Sequence, residues 1–362
     1  MIALSVLDES PLPDGSSAND ALSATAALAQ ATEALGYRRY WLAEHHNTAS
    51  IVGTAPEVLA AYVAAHTTSI RVGAGGVLLP YYSPLHVAEA FRTLDALFPG
   101  RIDLGLGRAA GADAEAASAL LQGRPEVSRE EHRQRVADVA ALVAGSALAG
   151  DPSTNGNGSA TVRAMPAGTT PPGDEEPPGP GAAGTGAGPQ VWVLGSSSDG
   201  ASLAAELGLP FCFAHFVSPA FGAQVLDLYR RTYRPSPERP SPVAAAAVSV
   251  MCAETAELAE HLATSQAIWR LHPEGAARGP LLSPEEARAY PVSELEQLLI
   301  DQDAARSFVG TPGQVVGRLD ALASAFGVDE LVVRTVCHDP ARRLRSYELL
   351  AAALAGSDGE VG

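Results

Sequence analysis

Lysine is absent from this sequence: all 24 cationic side chains among its 362 residues are arginines. The absence excludes catalysis through a lysine Schiff base and phosphate binding by a P-loop lysine. Acidic residues outnumber basic ones, and the formal net charge is −17. A general basic field that would attract nucleic acid or an anionic membrane is therefore excluded, and we expect neither as a partner.

Cysteine and long apolar runs are also scarce. Cys212, Cys252 and Cys337 are dispersed in apolar segments, which favours buried reduced thiols over a disulfide framework or a zinc cluster. No run reaches the roughly 18 apolar residues of a membrane-spanning helix, and Asp8 and Glu9 come too early for a signal sequence. We expect a soluble, cytoplasmic protein.

The sequence does contain a regular alternation of apolar runs and helical segments. Most runs are continuously apolar, as in parallel strands that are covered on both faces. Eight such runs separated by helices predict a single (β/α)8 TIM barrel over residues 1–362. A doubly wound sheet is the alternative, because strand counts read from one sequence are uncertain by about one or two. The runs begin at residues 2, 39, 70, 102, 190, 211, 244 and 329.

The first predicted helix, 19–35, has the clearest ends. Ser17 and Asp20 have the spacing of a capping box, and Gly36 suits a C-terminal stop. The remaining predicted helices cover residues 55–68, 84–97, 128–144, 200–207, 219–233, 254–269, 313–326 and 340–355.

Two segments interrupt this order. Residues 146–189 are rich in glycine and proline, have too little apolar surface to fold alone, and are predicted to be a surface excursion with a short strand at ATVRAMP. Residues 270–306 follow the seventh strand on the face where barrels place active sites, and we predict that they form a lid.

In a TIM-barrel enzyme, the catalytic and binding residues lie at the C-terminal ends of the strands. Polar or glycine-rich segments lie in or just after six of the eight strands, and they converge in space if the fold prediction is right. They are Asp8 and Glu9; Glu44, His45, His46 and Asn47; Gly75 to Pro80; Gly107, Arg108 and Ala109; Ser196, Ser197 and Ser198; and His215.

The serine triplet stands between a strand and a helix. Hydroxyl groups and free N–H groups at a helix start favour an anion, although a simple serine N-cap explains the triplet equally well. Arg108 adds paired guanidinium donors, and together with the serines it could hold the phosphate of a mononucleotide such as FMN.

Gly75 and Gly76 lie inside a strand, where glycine costs stability. A flat ring stacked on them and plain packing against small residues are both compatible with that placement. Adjacent side chains of an extended segment point to opposite sides, so only one of His45 and His46 should enter a site. A metal pair is therefore poor geometry, and acid/base chemistry or a structural role remains open for each histidine.

Taken together, several segments resemble the bacterial luciferase-like flavin-dependent monooxygenases. They are YWLAEHHN, the stretch from IRVGAGGVLLPYYSPLH to RIDLGLGRAAG, VWVLGSSSDGASLAAELGLPFCFAHF, and GTPGQVVGRLDALASAFGVDELVV. The similarity covers nearly the whole chain apart from the glycine/proline excursion and parts of 270–306. It is greatest to single-chain actinomycete members that tailor polyketides, and it implies a (β/α)8 barrel with reduced FMN at its C-terminal mouth.

The resemblance also implies roles for individual residues. Gly75 and Gly76 match a non-prolyl cis peptide beneath the flavin ring, His45 matches a histidine that acts near the flavin, and His46 would face the wall. Gly107 stands where luciferases proper carry a reactive cysteine. The phosphate would be bound by Arg108 and Ser197, with Ser196, Ser198, Gly200 and Gly107 close by, and the substrate pocket would include Asp8, Glu44 and His215.

The reaction implied is oxygenation of a small organic substrate by molecular oxygen through a flavin C4a-peroxide. A partner flavin reductase would supply reduced FMN, and a homodimer is expected. A deazaflavin-dependent oxidoreductase of the same fold and a non-catalytic flavin-binding partner subunit remain the alternatives.

Overall fold

A computed structural model of the chain describes residues 2–108, 111–149, 161–166, 188–272, 275 and 278–357. Eight parallel strands form a closed ring, which confirms the (β/α)8 barrel and excludes the doubly wound sheet. In ring order they are β1 (Ala3–Asp8), β2 (Arg39–Leu42), β3 (Arg71–Leu78), β4 (Ile102–Gly107), β7 (Gln190–Gly195), β8 (Phe211–Ala214), β9 (Ala244–Cys252) and β11 (Glu330–Arg334).

The helices surround the ring, and all nine predicted ones are present. The first begins and ends as predicted: Ser17 forms a capping box with Asp20, and Gly36 follows the helix with a φ of 81°. The helices are α1 (Ala18–Ala34), α2 (Pro56–His66), α3 (Pro84–Leu97), α4 (Ala114–Leu121), α5 (Arg129–Val143), α6 (Ser198–Glu206), α7 (Gly222–Thr232), α8 (Ala256–Leu271), α9 (Pro284–Ala289), α10 (Glu294–Arg306), α11 (Pro312–Phe326) and α12 (Pro340–Ser357).

The interior of the barrel is layered along its axis. At the N-terminal ends of the strands a buried ionic layer joins Arg39 to Asp103 and Glu330. Above it lies an apolar layer that includes Trp41 and Trp192, whose rings meet edge to face with centroids 5.3 Å apart. The C-terminal ends of the strands are left for an open cavity, as is usual in this architecture.

The glycine/proline excursion lies mostly outside the described residues. At its base β5 (Leu148–Ala149) pairs with β6 (Thr161–Val162), so the short strand expected within ATVRAMP is present.

The second interruption contains α9 and α10 and leads into β10 (Phe308–Gly310), which pairs with β9. Two of its contacts tie it to loops around the mouth of the barrel. Leu281 exchanges backbone hydrogen bonds with Leu12 and Asp14, and a Cβ at Gly275 would lie 2.5 Å from the Cβ of Asp113, so the segment crosses the mouth in close contact with the loop after β4.

Candidate active site

A cavity of about 720 Å³ opens at the C-terminal ends of the strands. Its wall draws on seven of the eight strands of the ring and on the residues that follow them. Glu9, His45, Gly75, Arg108, Ser197, Phe216 and Arg334 lie in or just after β1, β2, β3, β4, β7, β8 and β11, and the end of α8 adds Trp269 and Arg270. Most of the polar segments predicted at strand ends therefore do meet at one site.

The wall between β4 and β7 presents hydrogen-bond donors. Ser197 is the N-cap of α6, and its Oγ accepts a hydrogen bond from Gly200 N at 3.4 Å. The first-turn N–H groups of a helix have no intrahelical acceptor and favour an anion. Arg108 is exposed on the facing wall, and Ser196 completes this part of the cavity. We call it the phosphate end, defined by Arg108, Ser196, Ser197 and Gly200.

Two further residues that were predicted to lie at the phosphate end, Ser198 and Gly107, differ from each other in whether they reach the cavity wall. Ser198 opens α6 beside the phosphate end and is not part of the wall. Gly107 is in the wall, and among the described residues a Cβ built there would meet only Val77 O, at 3.7 Å. A side chain at residue 107 would therefore have room, and the glycine is not required by packing.

His132 also lines the phosphate end, and sequence reasoning missed it. It is buried on α5, and its Nδ1 has no hydrogen-bond partner within the described part of the chain. Burial first and the positive charge of Arg108 second lower the pKa of His132 to about 4, so the ring is neutral at neutral pH. His132 is a single histidine on a polar helix and belongs to no sequence motif, so no signal in the sequence indicated its place in the site.

The floor of the cavity includes Gly75 and Gly76, whose peptide bond is cis, as the resemblance implied. Both glycines are needed for packing. A Cβ on Gly75 would lie 2.7 Å from the Cβ of Trp41, and one on Gly76 would lie 2.6 Å from Gly105 O. Packing against small residues therefore explains both glycines, and they leave a floor without side chains, on which a stacked ring stays a prediction.

The two adjacent histidines separate as strand geometry predicts. His45 enters the cavity, and its Nε2 lies 4.0 Å from Glu9 Oε1. His46 stands outside the wall and shares a hydrogen bond of 2.8 Å with Glu44 Oε1. Glu44 reaches the wall but also accepts hydrogen bonds from Leu78 N at 2.8 Å and Tyr82 Oη at 2.6 Å, so its carboxylate is held in place.

Two predicted pocket residues lie elsewhere. Asp8 is fully buried outside the barrel interior, where its carboxylate pairs with Arg343 at 2.6 Å and accepts a hydrogen bond from Tyr40. His215 packs against Phe308 and Phe326 instead of facing the cavity. Both predictions were wrong because side chains alternate along a strand.

The neighbours of these two residues take the inward positions. Glu9 rather than Asp8, and Ala214 and Phe216 rather than His215, reach the cavity. Opposite the phosphate end, Glu9 forms an ion pair of 2.8 Å with the buried Arg334, another cavity residue that the sequence did not reveal.

A flavin mononucleotide fits this donor set. The phosphate end offers helix N–H groups, hydroxyls and a guanidinium to an anion, and the glycine floor leaves space for a planar ring. Within the described residues, no group of three or more potential metal ligands occurs, and no helix is long and apolar enough to cross a membrane.

Comparison with known proteins agrees with the fold. The family described as luciferase-like monooxygenase matches residues 2–330. Protein YwcH of Bacillus subtilis (strain 168), whose function is uncharacterized, is 40% identical over 98% of this chain and 100% of its own length. A luciferase-like monooxygenase of Escherichia coli (strain K12) is 40% identical over 96% of each chain.

Among solved structures, apo-MsnO8 superimposes with a TM-score of 0.81 at 35% identity and covers 98% of this chain and 99% of its own. Match length, identity and shared architecture lead to one conclusion. The chain belongs to the luciferase-like monooxygenase family of flavin-dependent oxidoreductases.

Proposed function

We propose that this chain uses reduced FMN and molecular oxygen to oxygenate a small organic substrate, and that a separate flavin reductase supplies the reduced FMN. The observation that carries the proposal is the composition of one cavity: an anion-binding end, a floor of two glycines and an inward-facing histidine all line it. The sequence holds no convincing second nucleotide fingerprint, which supports reduction on another protein.

The proposed roles follow from position. Arg108, Ser197 and the first turn of α6 would hold the phosphate, and Gly75 and Gly76 would lie under the ring. The bound flavin would supply the activation of oxygen, which no side chain in the cavity can provide. His45 would hold or move a proton at its Nε2, the atom that lies 4.0 Å from the Glu9 carboxylate.

The segment 270–306 would limit access of water. Trp269 and Arg270 at the end of α8, together with Arg278, line the cavity, while Gly275 lies against Asp113 on the far side of the mouth. Exclusion of water protects a reactive oxygenating species from wasteful decay, so a covered mouth suits this chemistry.

The first test is an anaerobic titration of the protein with reduced FMN, reduced deazaflavin and oxidised FMN in parallel. We expect reduced FMN to bind most tightly, Arg108→Gln to weaken it at least tenfold, and the exposed Arg231→Gln to leave it unchanged. Tight binding of deazaflavin alone would favour hydride transfer without oxygen instead.

The second test mixes the reduced complex with oxygen in a stopped-flow spectrometer. A transient absorbance band should precede the oxidised flavin, and His45→Ala should change its lifetime. Immediate appearance of oxidised flavin, the same in wild type and His45→Ala, would contradict the proposal and favour a non-catalytic flavin-binding subunit.

A further inference from the structure

The end of the cavity opposite the phosphate end has a chemistry that the proposed flavin contacts leave unused. In the ring, β11 lies four strands from β4 in either direction, so Arg334 faces the phosphate end across the full width of the barrel. Around Arg334 the wall is formed by Phe216, Trp269 and Arg270. We call these four residues the arginine end.

Two buried donors at the arginine end lack acceptors. Arg334 is 2% exposed and Trp269 is 6% exposed. Within the described residues, neither Arg334 Nη1 nor Trp269 Nε1 has a hydrogen-bond partner. A buried donor without an acceptor destabilises the fold, so two of them beside one cavity indicate a ligand that brings acceptor oxygens.

Guanidinium groups are concentrated around these donors. Arg334 lies 2.8 Å from Glu9 Oε1, and Arg270 lies 2.8 Å from Asp303, while a third guanidinium, that of Arg278, also lines the wall. Three guanidinium groups therefore line this end of the cavity, in a chain whose formal net charge is −17. Burial first and the neighbouring Arg334 second lower the pKa of Arg270 to about 10, as expected for crowded cations.

Aromatic rings border the same donors. The guanidinium of Arg334 lies 5.0 Å from the ring centre of Phe216 and 5.7 Å from that of Trp269. These faces hold the arginine in position and offer apolar contact to the rest of a ligand. Glu9 Oε2 has no donor within the described chain, so a ligand N–H or O–H group close to the anionic group would be accommodated as well.

We propose that the arginine end binds the carboxylate of an organic acid substrate, with Arg334 and Trp269 as donors and the apolar part of the acid directed along Phe216 toward the glycine floor. The inference rests on the proposed function, because it assigns the opposite end of the cavity to the flavin phosphate. A carboxylate is the acceptor group that matches a guanidinium in shape and charge.

The test measures binding without turnover. Isothermal titration calorimetry with hexanoate and with hexanamide, each with and without oxidised FMN, compares two ligands that share an apolar chain and differ in charge. We expect hexanoate to bind at least tenfold more tightly than hexanamide. Arg334→Gln should abolish this preference and leave FMN affinity within twofold, and Arg231→Gln should keep both.

A second pair of variants guards against misfolding of Arg334→Gln. Arg270→Gln should weaken hexanoate, and Glu9→Gln should strengthen it because a competing carboxylate is removed. Equal binding of hexanoate and hexanamide to the wild type would overturn the inference. So would an Arg334→Gln protein that loses FMN and hexanoate affinity alike, because Arg334 would then hold the flavin. Hexanoate binding without FMN binding would refute the proposed function alone.

Discussion

Among single residues, Glu33 makes an unusually dense set of contacts for a partly exposed side chain. It lies in the last turn of α1, and its Oε1 accepts hydrogen bonds from the backbone N–H groups of Thr68 and Ile70 at 2.9 and 2.8 Å, with Ser69 between them contributing both N–H and hydroxyl. One carboxylate thus fixes the segment that leads from α2 into β3.

These bonds make stability depend on pH in a defined direction. Burial raises the pKa of Glu33, but the backbone donors outweigh it and lower that pKa from 4.5 to about 2. A carboxyl whose pKa is lower in the folded state stabilises the fold above pH 4.5 and loses that contribution as pH falls toward 2.

We therefore expect Glu33→Gln to lower the free energy of unfolding by about 1–2 kcal/mol at pH 7, because a charged acceptor is replaced by a neutral one. The difference from wild type should shrink between pH 4.5 and 3. Urea denaturation at pH 7, 5 and 3 measures it, with the exposed Glu260→Gln as the matched control. A difference that stays constant with pH would mean that the carboxylate charge is not what the backbone donors bind.

Which residues of a strand face the cavity could not be read from the sequence. The strands are continuously apolar, so the pattern that separates inward from outward positions is missing, and Asp8 and Glu9 looked equivalent. For the adjacent pair His45 and His46 the sequence did predict that only one side chain enters the site, since neighbouring side chains of an extended segment point to opposite sides. Arg334 belongs to no motif, and only the closed ring brings it to the site.

At the scale of elements, prediction succeeded where local signals agree. The predicted bounds 84–97 match α3, and the capping box of α1 was recognised from Ser17 and Asp20. The helices α9 and α10 were not predicted. On α10 only Asp303 is buried, so no apolar stripe marks the helix. Both helices do begin with a capping box, at Ser283 and at Ser293, and that spacing was the available signal.

The contact between β3 and β4 provides a prediction with an internal control. Gly76→Ala places a Cβ 2.6 Å from Gly105 O, whereas the nearest atom to a Cβ at residue 107 is 3.7 Å away. Both substitutions restrict the unfolded chain alike, so their difference reports packing alone. We expect Gly76→Ala to lose about 1–3 kcal/mol of stability relative to Gly107→Ala, measured by guanidinium unfolding. Equal stability would show that β3 can move away from β4 at no cost.

For the whole molecule, the two ends of the barrel have separate tasks. The ionic layer joins strands that are distant in sequence: Asp103 on β4 binds Arg39 at 2.8 Å and Arg71 at 2.6 Å, and Arg39 continues to Glu330 on β11 at 2.7 Å. Eight apolar runs predicted the barrel, but the ionic layer could not be predicted, because Glu330 meets Arg39 only once β11, the last of the ring strands along the chain, pairs with β1.

The apolar layer with Trp41 and Trp192 lies between the ionic layer and the cavity, and Trp41 touches both, since its Nε1 donates a 3.0 Å hydrogen bond to Asp103. Because the two packed indoles are buried, we expect them to keep damage at one end from reaching the other. Asp103→Asn weakens the ion pairs of the buried Arg39 and the partly buried Arg71, and we expect it to cost about 3–5 kcal/mol of stability. Ser5→Ala, which removes only the 2.7 Å hydrogen bond to Glu330, should cost about 1 kcal/mol and replaces Asp103→Asn as the test variant if Asp103→Asn does not fold.

Denaturant unfolding curves measure the stability of each variant. FMN titration of the folded variants should give the FMN affinity of the wild type. Weakened FMN binding with unchanged stability would mean that the ionic layer acts on the site through the apolar layer, and the division of tasks between the two ends would be wrong.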